Sequence, residues 1–391
     1  MAGLSNVTVN VGASGLGRRL LSNDGITGFV FYNDTPPAGF TANEAKKVFS
    51  LAEAENLGIV DTSPTYEVDH YHVSEFFRIN PSGSLWIGYF NVPAGAYDFA
   101  EVTTMQRDFA KGEIRMFGIY TPLVVFANTA VATLQTQLDL LNGDNTPATG
   151  YLCQDIQGVA DLSTLADLRT ETSDDVRVII AEDNAGTAAT LAASKSYSIT
   201  AMGSILGALS GAPVNQSPAN PENYNLSGAE MTVPGYANGQ SYREVGETAS
   251  GALKDKAYTI VRDYLPGLSG TYVERIPATN AASSDFAFDE NRRVVQKVQR
   301  LMVAAYTPKL NSVITLNEDG QLSDFAVSAL QDIGQTQIEA MQALGEISAG
   351  ETLIDPSQDI LSTSELVISV NVVPTGTAEF ITININLTPN L

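Results

Sequence analysis

The chain has 391 residues, with 44 acidic and 21 basic side chains and a formal net charge of −23. Apolar residues make up 44% and charged residues 17%, which is enough for two or three cored domains and excludes a disordered chain. The acidic excess argues against a surface built to hold nucleic-acid phosphate or anionic lipid.

The first strand signal is Asn6-Val7-Thr8-Val9-Asn10-Val11, which alternates valine with small polar residues and leads into the glycine-rich turn 12–17. Residues 1–27 therefore read as a strand arm and hinge. From 28 to 212, short apolar runs alternate with helical segments. Strands are predicted at 28–32, 84–90, 113–120, 151–156 and 176–181. Helices are predicted at 41–57, where Thr41 and Glu44 form a capping box and Gly58 is the stop; after Asp98, with Glu101 at the box position; across Val131, Leu134, Leu138 and Leu141; and at 191–209. Strands alternating with helices imply an α/β domain, a mainly parallel sheet covered by helices.

Residues 213–250 are rich in proline and asparagine and read as a linker or long loop. A second unit, 251–365, makes the chain α+β overall. Strands at 257–264 and 270–276 flank the turn 265–269. An amphipathic helix at 289–306 turns Val294, Val298, Leu301, Met302 and Ala305 inward, and a second helix at 323–344 stops at Gly345. The C-terminal stretch 366–391 reads as a β-hairpin arm: 366–372 alternates, 374–377 turns, and 381–387 alternates again.

The search for chemistry returns no catalytic, cofactor or metal site. The single cysteine, Cys153, excludes a disulfide framework and a cysteine-rich zinc site. No signal peptide is expected from the N-terminal residues. The glycine order at Gly12, Gly15 and Gly17 is neither a dinucleotide fingerprint nor a P-loop. His70 and His72, beside Glu67 and Asp69, would share a face on a strand and could hold a metal, but an exposed polar segment is the plainer reading. Gly203 and Gly207 suggest a soluble helix packed closely on another element. On the 289–306 helix, Arg293, Lys297 and Arg300 form one stripe, and no lysine or arginine follows Lys309. Such a stripe is either solvated, paired within the chain, or a docking face for an acidic partner.

The two ends are nearly free of charge: residues 1–11 carry none, and within 366–391 only Glu379 is charged. Strand edges are normally protected by charge or proline. Strands this bare are expected to be paired, either within the monomer or with a neighbour by strand addition, and head-to-tail addition builds rings or filaments.

With these residues in view, the chain resembles the contractile tail sheath proteins of bacteriophages and related injection systems. The resemblance rests on 258–264 with Leu265-Pro266-Gly267-Leu268-Ser269-Gly270-Thr271-Tyr272-Val273, on Ser283-Ser284-Asp285-Phe286 followed by Asn291-Arg292-Arg293-Val294-Val295, on the terminal alternating stretch 370–387, and on the loop after Gly207. It implies a sheath core domain with terminal β-strand arms beside an outer α/β domain. It also implies a structural subunit, not an enzyme, that stacks as hexameric rings around a tail tube and contracts to drive that tube through an envelope. Baseplate and tail terminator proteins would be further partners, with no nucleic acid and no membrane insertion. The place of action would be the virion tail, assembled in the host cytoplasm. Carried onto this chain, Val7, Val9, Val11, Ile381, Ile383, Ile385 and Leu387 would pair with neighbouring subunits, and Arg293, Lys297 and Arg300 would face the tube. Another virion protein of the baseplate or capsid, or an α/β enzyme with an assembly module, are the competing expectations.

Overall fold

A computed structural model describes residues 24–264 and 267–383. The first half runs β1 (Thr27–Tyr32), β2 (Glu44–Val48), α1 (Leu51–Asn56), α2 (Glu67–Ile79), β3 (Leu85–Phe90), α3 (Ala100–Thr104), β4 (Met116–Val125), α4 (Thr129–Gly143), β5 (Thr149–Asp155), β6 (Val176–Ile179), β7 (Ala181–Asp183), α5 (Gly186–Lys195) and α6 (Met202–Gly211). Then come β8 (Pro234–Tyr236), α7 (Tyr242–Val245), α8 (Glu247–Asp255), β9 (Tyr258–Thr259), β10 (Val261–Tyr264) and β11 (Leu268–Val273). The chain continues through α9 (Asp289–Tyr306), α10 (Asp324–Ala343), β12 (Ile347–Leu353), α11 (Ile360–Thr363) and β13 (Ser369–Pro374).

Seven strands form one sheet in the order β2-β3-β1-β4-β5-β6-β9, parallel throughout except for β2, which runs antiparallel to β3. Side chains alternate between its two faces. Phe29 and Phe31 of β1 join one core with α2, α5 and α6, while Val30 and Tyr32 join the other with α3, α4 and α8. Burial on both faces explains why these strands read as continuous apolar runs. The sheet is thus the expected helix-covered, mainly parallel one, and β9, from beyond residue 251, supplies its last strand.

α6 lies against α2 with no room to spare. A methyl group added at Gly203 would sit 2.2 Å from the His72 carbonyl oxygen, and one at Gly207 would sit 2.8 Å from that of Phe76. The paired glycines therefore mark the close packing of one helix on another, as expected. α9 and α10 form a separate unit with the antiparallel pair β12–β13. Val294, Val298, Ile338, Met341 and Ile347 make its core, and Val370 and Val372 pack onto it. Both helices match their predicted spans, with Ser323 capping α10 and Gly345 in the left-handed region after it.

Four expectations are corrected. The predicted helix over 41–57 is strand β2 followed by the short α1. Glu44 does accept from the Thr41 N–H at 2.7 Å, but this closes a turn before a strand, and the free edge of β3 captures residues 44–48. The predicted helix over 191–209 is two helices, α5 and α6, separated where Ser196 turns left-handed at φ 60°. His70 and His72 lie on helix α2, not on a strand or an exposed segment. Two residues apart on a helix, they face different surroundings. Finally, the first strand of the predicted C-terminal hairpin has another partner: β13 pairs with the upstream β12, and residues 375–383 form no strand, while 384–387 of the predicted second strand lie outside the described residues.

Candidate assembly site

Three features near the two ends of the described chain bear on assembly. The first is the basic stripe of α9. Arg293 and Lys297 are only 4% and 3% exposed. Arg293 Nη2 donates to the Leu209 and Ala212 carbonyls at 3.1 and 3.0 Å, satisfying oxygens left over at the C-terminal end of α6. Lys297 Nζ lies 2.6 Å from Glu346 and 2.7 Å from Asp24, and Arg300 Nη2 lies 2.5 Å from Asp24. Burial pulls the Arg300 guanidinium below its usual range, only partly offset by Asp24. Burial, with Arg300 nearby, brings Arg115 down to about 9. The expectation that Arg293, Lys297 and Arg300 face a tube is therefore corrected. A buried cation needs partners, and these three find theirs inside the chain: Arg293 on the end of α6, Lys297 and Arg300 on Asp24 at the root of the N-terminal segment.

The second feature is the root of the C-terminal segment. Glu379 accepts from Lys254 Nζ at 2.6 Å and from Arg275 Nη1 at 2.9 Å. Arg275 also pairs with Glu290 and lies 3.7 Å from the ring centroid of Phe288. Burial raises the Glu379 carboxyl, but Lys254 and Arg275 outweigh it and hold the group below its ordinary value. The segment borders a cleft of about 700 Å³ lined by Asn215, Gln216, Tyr264, Glu274, Thr375 and Ile381. Past the anchor the chain turns outward: Phe380, Ile381 and Ile383 are 82%, 80% and 78% exposed. Ile381 and Ile383 are thus the expected interface residues that the structure describes, and it shows them bare. Val7, Val9, Val11, Ile385 and Leu387 lie outside the described residues, as does the glycine turn 12–17.

The third feature is the β12–β13 pair, which forms a two-stranded sheet by itself. β13, Ser369-Val370-Asn371-Val372-Val373-Pro374, carries no charge. An uncharged, lightly protected strand is the kind that accepts another.

No comparable chemistry collects around the histidines. His72 is fully buried, with Tyr120 4.6 Å away ring to ring and no partner for either ring nitrogen, and desolvation pulls its pKa to about 3. His70 Nε2 lies 3.1 Å from Glu55. Among the described residues no group of three or more histidine, cysteine or carboxylate side chains is placed to hold a metal ion. Among them also, no helix is long and apolar enough to cross a membrane.

The anchors escaped the sequence reading in different degrees. Glu379 stood out as a lone charge in a bare tail, which was a usable signal. Asp24 did not, because its partners are far along the chain.

Residues 285–391 match the family model described as DUF2586, C-terminal domain. No curated protein matches the sequence. Among solved structures, a chain of the anti-feeding prophage baseplate aligns at TM-score 0.64 and 15% identity, covering 99% of this chain and 100% of that one. A chain of the anti-feeding prophage helical sheath in its contracted state aligns at TM-score 0.62 and 15% identity, covering 99% of each. A sheath tail protein from Listeria innocua aligns at TM-score 0.53 and 8% identity, covering 89% and 94%. The chain therefore has the contractile tail-sheath fold along almost its entire described length.

Proposed function

We propose that this chain is the structural subunit of a contractile sheath. It stacks as hexameric rings around an inner tube, exchanges terminal strands with its neighbours, and contracts to drive the tube through a target envelope. The observation that carries this reading is the full-length fold likeness to a helical sheath chain, joined to an uncharged β13 and bare apolar residues at Ile381 and Ile383. In this reading Val7, Val9 and Val11 at one end, and Ile381, Ile383, Ile385 and Leu387 at the other, add strands to neighbouring copies. Strand pairings persist while rigid domains slide between two packings, and a kinetic barrier holds the extended one. The division into arm 1–27, outer domain 28–212, core 251–365 and arm 366–391 belongs to this proposal, with the connecting stretch 213–250 holding β8, α7 and the start of α8, and β9 of the core completing the outer domain's sheet. So do the tube, baseplate and terminator partners, the absence of catalysis, and a virion tail assembled in the host cytoplasm.

A baseplate role is the second reading, favoured by the likeness to a chain of a baseplate structure. Electron microscopy of the purified protein, alone and with tube protein, separates the two. Hollow ringed tubes of uniform diameter support the sheath, and closed discs support the baseplate. A chain that stays monomeric with tube protein present overturns both. Deleting 1–12 or 378–391 should leave a folded subunit that no longer polymerises.

A further inference from the structure

α9 divides its side chains between two bodies. Val294 and Val298 belong to the core of the C-terminal unit, with Leu301 and Met302 packed against it. Among the described residues, Val214 is the one buried side chain from before α9 in that core. Neither core of the seven-stranded sheet contains a residue of α9. What α9 offers the sheet is polar. Asp289 accepts from the Tyr151 hydroxyl at 2.8 Å and from Arg177 Nε at 3.2 Å. Arg292 holds Asp175 through two hydrogen bonds of 2.5 and 2.6 Å.

A polar joint separates at lower cost than an apolar one, because water can take over its hydrogen bonds. This joint has an added reason to open. Arg177 Nη2, Asp289 Oδ2 and Arg293 Nη1 are buried in it with no hydrogen-bond partner among the described residues. Each carries a desolvation cost that solvent would remove.

Further along α9, the joint is closed by Asp24. The backbone next to Asp24 is fixed to the sheet side. A methyl at Gly25 would lie 2.0 Å from the Ser210 carbonyl oxygen, and the Ile26 carbonyl accepts from the Arg115 N–H at 2.9 Å. The Asp24 carboxylate reaches across to Arg300 at 2.5 Å and Lys297 at 2.7 Å, and Lys297 in turn holds Glu346, next to β12. One carboxylate thus ties the sheet side to two cations of α9. Asp24 also adjoins residues 1–23, so a pull on that segment reaches Asp24 before it reaches the sheet.

We propose that Asp24 is a clamp on a polar joint. Bound to Lys297 and Arg300, it holds the unit formed by α9, α10, β12 and β13 against the sheet. Its withdrawal lets that unit swing as one body about the connection 277–288. The clamp is a property of the single chain and does not depend on strand addition between copies.

The test is the distance between spin labels at Thr136→Cys on α4 and Thr336→Cys on α10, both exposed positions, in the full chain diluted with unlabelled protein. Cys153 is fully buried, and a label count on the chain without the two new cysteines checks that it stays unlabelled. The chain with Asp24 intact should give one distance. Asp24→Asn should add a second, held by about a tenth of the molecules or more. Arg300→Gln opens the same pair from the other side and should add that same distance. Deleting 1–12 keeps Asp24 and should leave the single distance, whether or not the shortened chain polymerises. A single distance in both Asp24→Asn and Arg300→Gln overturns the clamp. A broad spread of distances that comes with loss of the helical circular-dichroism signal shows that Asp24 supports the whole fold, and overturns the joint. A second distance in the 1–12 deletion overturns the assignment to Asp24.

Discussion

Glu379 binds Arg275 across more than a hundred residues of sequence, at 2.9 Å, and Lys254 shares the same carboxylate at 2.6 Å. It is the only charged side chain in 366–391, so the C-terminal segment is fastened to the body electrostatically at a single point. The other end of the described chain is fastened in the same way, through Asp24 to Lys297 and Arg300. Past the Glu379 anchor, Phe380, Ile381 and Ile383 are exposed.

Glu379→Gln keeps the shape of that side chain and removes its charge. The anchor is partly exposed, so global stability should fall by about 1 kcal/mol or less. The local effect is larger in proportion: hydrogen exchange or protease cleavage within 375–383 should accelerate about fivefold. Equal rates in both proteins would show that the segment is held by something other than the carboxylate.

Acid should open the same anchor. The folded-state value of Glu379 is depressed, so its stabilisation is present above the unfolded carboxylate value and lost as pH falls through the lower folded one. Exchange within 375–383 should therefore rise below about pH 4 in the unaltered chain and stay flat in Glu379→Gln.

Asp69 predicts the opposite slope. It is buried, accepts only from the Tyr89 hydroxyl at 3.0 Å, and desolvation raises it to about 7. Its contribution is complete below the unfolded value near 4 and is lost as pH rises toward 7. Asp69→Asn should stabilise the chain by up to about 4 kcal/mol at pH 8 and have little effect at pH 4. Denaturant melts at the two values measure the difference.

The α9 stripe supplies a direct contrast between surface and interior. Lys297→Ala would leave Glu346 without its cation, and Glu346 Oε2 already lacks a partner. The dispersed chain should lose about 3 kcal/mol in denaturant melts, as expected for one half of a buried pair. A solvated or tube-facing lysine would cost within about 0.5 kcal/mol.

Gly203→Ala places a methyl 2.2 Å from a backbone oxygen of α2 and should cost about 2 kcal/mol or more. Gly211→Ala, whose nearest neighbour would be 3.7 Å away, should cost nothing measurable in the same melts. Equal losses would remove the packing explanation.

The sequence by itself determined those elements whose signal is local. α9 and α10 could be read from apolar spacing, the cap at Ser323 and the stop at Gly345, and β1, β3, β4, β5 and β6 from short apolar runs. Tertiary structure decided wherever a choice of partner was needed. Thr41 and Glu44 make the same contact before a helix or a strand, and only the free edge of β3 selects the strand. Residues 366–372 and 381–387 are close in sequence and both alternate, yet β13 pairs with Ile347–Leu353, a segment with weaker alternation, because that pair fits over the α9–α10 core. Periodicity placed Arg293, Lys297 and Arg300 on one stripe, but whether a stripe meets solvent or carboxylates depends on residues 49 and 276 positions away. Spacing along a chain sets which side chains share a face. What that face meets is set by long-range packing, because burying a charge is tolerated only where the fold brings an opposite one to it.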